Sequence, residues 1–124
     1  MKIQMRQGLP FIQVSLIHRH RQLSFNQVLL DTGSVGTVFS ADKVADLGLQ
    51  FEFQDPVHRI CGVGGAEFVF SKRVDCLALG TFELRNFEIE IGTLDYGLAI
   101  DGILGINFLR QVGACIDLAK LEIY

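Results

Sequence analysis

Period-two alternation between Phe11 and His20 constrains this chain first: Ile12, Val14 and Leu16 alternate with Gln13, Ser15 and Ile17. Successive side chains of a strand point to opposite faces, so the pattern predicts a strand with one buried face. The polar cluster His18–Ser24 predicts a hairpin turn, and Phe25–Asp31 the returning strand. Further short runs follow at Val35–Ser40, Val57–Cys61, Ala66–Ser71, Arg73–Leu79, Phe82–Ile91, Leu98–Ile103, Cys115–Leu118 and Leu121–Tyr124. Two short helices are expected. Ala41–Leu47 is N-capped by Ser40 and stops at Gly48; Asn107–Val112 is closed by Gly113. Many short strands punctuated by turn signals predict an all-β, closed barrel-like unit. With no linker or repeat, residues 1–124 are expected to form a single domain.

Hydrophobic residues make up 49% of the chain, a rich apolar supply for so small a domain. Some of that surface is expected to face a partner. The net charge of −3 and the lack of a basic patch argue against nucleic acid as the main ligand. No apolar run approaches the roughly 18 residues that span a bilayer, and Met1–Arg6 lacks the apolar core of a signal peptide. Cys61, Cys76 and Cys115 are an odd set with no metal-site spacing, which suggests free thiols in a reducing compartment. The expectation is a cytoplasmic protein with no membrane partner, no metal and no cofactor.

The richest chemistry lies at Asp31-Thr32-Gly33-Ser34, entered through the apolar run Val28-Leu29-Leu30. A carboxylate there ends a buried strand where the chain must turn, and Gly33 admits the close approach of a backbone or a ligand. The bland alternative is an Asx-turn residue. Two further stretches weigh against it: the glycine-rich Ile60-Cys61-Gly62-Val63-Gly64-Gly65, and Gly102-Ile103-Leu104-Gly105-Ile106-Asn107-Phe108-Leu109-Arg110-Gln111-Val112-Gly113.

In this order and spacing the three motifs resemble those of the retropepsin-like aspartic proteases, from Val28 to Gly113. The resemblance implies a closed acid-protease barrel that works as a homodimer on a peptide or protein substrate. The chain carries one Asp-Thr-Gly, so a second copy must supply the other acid. Two Asp31 carboxylates would meet across a two-fold axis and hold one proton between them. One would activate a water as general base while the other protonates the scissile carbonyl oxygen. Thr32 would lock the two loops together, Gly33 would leave room and a carbonyl for substrate, and Ser34 would donate toward the carboxylate. The Ser34 donation predicts a more acidic optimum than that of members with Ala there. Cys61, Gly62, Val63, Gly64 and Gly65 would form a flap over the peptide. Val35, Ile103 and Val63 would line apolar side-chain pockets.

Two departures alter these expectations. Retroviral members place an acidic residue and an Arg where this chain has Val35 and Ile106. That reads as an ionic contact exchanged for an apolar one, which changes the cleft. The tail Ala114–Tyr124 is longer than a retroviral one, so dimer-forming strands are expected to differ. The rival reading is an inactive module of the same fold for peptide binding or dimerisation. His18, His20 and His58 are a weak metal set, because Arg19 and Arg21 would repel a cation. Asp101 is expected to form a structural ion pair with Arg110 or another base.

Overall fold

The computed structural model describes residues 1–62, 65–94 and 99–124. The strands are β1 (Gln4–Arg6), β2 (Leu9–His18), β3 (Arg21–Leu30), β4 (Val38–Ser40), β5 (Val57–Gly62), β6 (Gly65–Leu79), β7 (Phe82–Gly92), β8 (Gly102–Leu104), β9 (Ile116–Asp117) and β10 (Glu122–Ile123). The helices are α1 (Ala41–Val44), continued by a tighter turn at Ala45–Leu47, and α2 (Ile106–Val112). Eight strands pair in the order β1-β2-β3-β8-β4-β7-β6-β5. β2 also pairs β6 through Ser15↔Ala78, Leu16↔Leu77 and Ile17↔Cys76, so the pairings from β2 round to β6 return to β2.

Alternation in β2 holds from Val14 onward but fails at Phe11 and Ile12, which are both buried. The register with β3 shifts between Ile12 and Val14, and such an irregularity lets two successive side chains face the core. β6 is one strand of 15 residues, where the sequence predicted two runs flanking Lys72. A lysine in the middle of a strand is tolerated here because its ammonium is met by Glu52 and Asp55. At the start of α1, Ser40 occupies the N-cap position but makes no side-chain capping bond, contrary to expectation. Gly113 ends α2 in the left-handed region (φ 66°), as anticipated, and its N–H reaches Arg110 O.

The core gathers Leu16, Phe39, Leu77, Leu79, Ile89, Ile91, Leu104 and Phe108, all nearly inaccessible to solvent. α2 lays Phe108 edge-on against Phe87 of β7, with ring centroids 5.8 Å apart. Each such fully buried aromatic contributes about 1.5–3 kcal/mol. That packing holds α2 beneath the end of β8.

The tail pairs within its own protomer. β9 and β10 form an antiparallel pair, and Met1–Ile3 lies along β10: Ile3 N donates to Leu121 O (2.9 Å) and Ile123 N to Met1 O (2.8 Å). Among the described residues, no helix is long and apolar enough to cross a membrane.

Candidate active site

Parallel pairing of β3 with β8 builds the site. Val28↔Gly102, Leu29↔Ile103 and Leu30↔Leu104 are in register, so both strands end at the same level. The loop after β3, beginning at Asp31, therefore lies beside the Gly105 turn that opens α2. Asp31 N donates to Leu104 O (3.0 Å), and Ile106 N donates to Ser34 O (2.8 Å). These two bonds tie the first and third motifs together across more than 70 residues of sequence.

Gly105 permits that approach. A Cβ at this position would lie 2.7 Å from the carbonyl carbon of Gly36 and 2.8 Å from Ser34 O. Only glycine fits between those backbones. Thr37, 1% exposed, completes the junction. Its Oγ1 accepts the Gly105 N–H at 3.1 Å and donates to Asn107 Oδ1 at 2.8 Å; Asn107 Oδ1 also accepts the Phe108 N–H at 2.8 Å. Sequence reasoning missed Thr37 and singled out Asn107 only as part of a motif. The available signal was a polar residue inside the run Val35–Ser40.

Asp31 is half-buried, and its Oδ1 accepts the Gly33 N–H at 2.9 Å. Thr32 and Gly33 are exposed beside it. Ser34 behaves differently from expectation: its Oγ donates to Gly36 O at 2.9 Å, not to the carboxylate. The hydroxyl closes its own loop, and the argument for a more acidic optimum loses its basis. Val35 is 83% exposed, whereas Ile106 packs against the core. At that exposure Val35 buries little surface within the protomer, so most of its side chain stays open beside the Asp31 loop. Ile103 is 7% exposed and pairs between Leu29 and Val38, so it offers little surface to a ligand in this protomer.

The glycine-rich motif forms a hairpin, with β5 and β6 paired from Val57↔Phe70 through Cys61↔Ala66 to Gly62↔Gly65. Val63 and Gly64, both expected at the flap tip, lie outside the described residues. The base of the hairpin is clasped. Lys72 Nζ on β6 lies 2.6 Å from Glu52 Oε1 and 2.9 Å from Asp55 Oδ2. Phe51 stacks edge-on to Phe70 at 5.5 Å. The hydrogen bonds from Lys72 and Gln54 lower the Glu52 carboxyl. Burial pushes Asp55 up, but the Lys72 ammonium and the Glu52 N–H outweigh it and bring it down. Burial likewise works against Lys72, and its two carboxylate partners raise it.

Next to the Asp31 loop stands Glu90 of β7, which the sequence placed only within the strand run Phe82–Ile91. Burial pushes its carboxyl up; His58 on β5 works in the opposite direction and Glu88 adds to the rise. The remaining candidates lie elsewhere, on other partners. Asp101 accepts the Gln27 N–H at 3.2 Å and meets Lys43 at 3.6 Å, so its partner is not Arg110. His18 Nδ1 lies 3.7 Å from Asp75, while Arg19 and His20 form the hairpin turn with positive φ. Cys76 is buried and Cys115 exposed, both as free thiols.

Comparison with known proteins is consistent with this geometry. A family model described as aspartyl protease matches residues 22–108. The crystal structure of a retropepsin-like aspartic protease from Rickettsia conorii is similar in fold, with a TM-score of 0.68. It is 17% identical in sequence, and the match covers 99% of this chain and 95% of that one. No curated protein matches the sequence.

Proposed function

Since the chain belongs to the aspartyl protease family, we propose that it is an endopeptidase whose active site forms between two copies, each contributing Asp31. The observation that carries this reading is the Asp31 loop itself. Backbone bonds to Leu104 and Ile106 hold it rigidly, while Thr32, Gly33 and Val35 stand exposed around the carboxylate. An exposed valine beside an acid suits a surface that a second copy or a peptide covers.

In the pair, like charges a few ångströms apart do not both ionise, so one proton is shared. The ionised member takes a proton from water, and the protonated member donates to the scissile carbonyl oxygen. The resulting tetrahedral species collapses as a proton reaches the leaving nitrogen. Thr32 braces the two loops, and Gly33 leaves space for the peptide. Residues 61–65 close over an extended substrate by strand-like pairing. Val35 and Val63 contribute apolar surface to the cleft, with a smaller share from Ile103.

The test compares wild type with Asp31→Asn on a peptide library, alongside sedimentation. Cleavage by a dimer, lost in Asp31→Asn with the fold intact, is the expected result. Equal cleavage by both proteins, or a strict monomer that cleaves, overturns the assignment.

A further inference from the structure

The carboxyl of Glu90 occupies the space where a side chain on Gly36 would point. A Cβ at Gly36 would lie 2.9 Å from Glu90 Oε1 and 3.3 Å from its Cδ. Gly36 is five residues beyond Asp31 and directly follows the exposed Val35. The backbone fixes the placement. β4 and β7 run parallel with Val38↔Glu90 in register, and Glu90 N donates to Thr37 O at 2.9 Å. Glu90 is half-buried as a residue, and among the described residues no hydrogen bond or ion pair reaches its carboxyl. The charged groups facing it are His58 of β5 and Glu88 of its own strand.

The Glu90 oxygens are not among the unpartnered polar atoms shut off from water, so the carboxyl is free to accept hydrogen bonds from a ligand. Glu52 and Asp55 make the contrast, since both are satisfied by Lys72. A ligand that brings its own N–H donors would supply what Glu90 lacks. The absence of a side chain at Gly36 makes room for the carboxyl beside the Asp31 loop.

We propose that Glu90 is a specificity-determining residue: it forms the acceptor end of a side pocket, next to the Asp31 loop, that takes a lysine or arginine side chain of the substrate near the cut. This rests on the endopeptidase reading and adds a charged subsite to a cleft otherwise expected to prefer apolar residues. The aliphatic stem of lysine or arginine would lie along apolar surface such as Val35, with the cationic head on the carboxylate.

Paired peptides test it, identical except for lysine or norleucine at each position within three residues of the cut. The readout is the ratio of kcat/KM for the two peptides at pH 7. Wild type is expected to favour lysine by about tenfold at one position, as a charge-assisted hydrogen bond implies. Glu90→Gln brings the ratio close to one. Gly36→Ala, which pushes the carboxyl aside without disturbing a positive φ, lowers it as well. Binding of the same peptides to Asp31→Asn protein reads the pocket without cleavage. A wild type that cleaves nothing therefore sinks the protease reading while the binding ratio still decides on Glu90. An unchanged ratio in Glu90→Gln overturns the pocket. So does an unchanged ratio accompanied by a weakened dimer in sedimentation, which would assign Glu90 to a cation of the second copy.

Discussion

Replacing Thr37 with valine preserves the shape of the side chain and removes only its hydroxyl. The Thr37 hydroxyl serves two partners in a buried junction, Gly105 N–H and Asn107 Oδ1. Valine leaves the Gly105 N–H buried without an acceptor, which destabilises by about 1–3 kcal/mol. Asn107 Oδ1 retains the Phe108 N–H, so the loss there is that of one net hydrogen bond, about 1 kcal/mol. Together Thr37→Val loses about 2–4 kcal/mol, a large share of the 5–15 kcal/mol typical of a domain. Serine is the control. It keeps both bonds and gives up one buried methyl, at about 1 kcal/mol. Urea unfolding with linear extrapolation ranks the three proteins. The expected order of stability is Thr, Ser, Val, with cleavage of a peptide substrate falling in the same order. A valine variant as stable as the serine variant would refute the reasoning, because the hydroxyl would then not be what joins the Asp31 loop to the Gly105 turn.

Gly105→Ala drives a methyl into the backbone of Gly36 and Ser34, which cannot yield as a flexible side-chain tip can. It is expected to destabilise by more than about 3 kcal/mol, beyond ordinary overpacking, as measured by the urea midpoint. Lys72→Met opens the clasp at the base of the hairpin and changes the pH dependence of stability. Glu52 and Asp55 are lowered below their ordinary values of 4.5 and 3.8. Their contribution is thus fully present above those values and is lost as pH falls through the lowered ones. Lys72 is raised above 10.5, so its contribution persists below that value and is lost as pH rises through the raised one. Urea midpoints between pH 7 and pH 3 are expected to fall less steeply in Lys72→Met than in wild type; parallel profiles would refute the clasp.

Local pattern alone determined much of this protein. Alternation marked β2, the polar cluster after it marked the turn into β3, glycines marked the ends of both helices, and the three motifs marked the family, because each of these signals lies within a few neighbouring residues. Tertiary structure decided what depends on residues distant in the chain. The Ser34 hydroxyl turned to Gly36 once the loop was drawn onto the Gly105 turn, and Lys72 did not interrupt β6 because Glu52 and Asp55, some twenty residues earlier, neutralise it. Thr37 became a junction only when β8 came to lie between β3 and β4, and Glu90 came to face Gly36 only through the parallel pairing of β4 with β7. A hydrogen bond or a charge takes its role from whatever lies within about 3 Å, and chain spacing does not report that distance across a sheet.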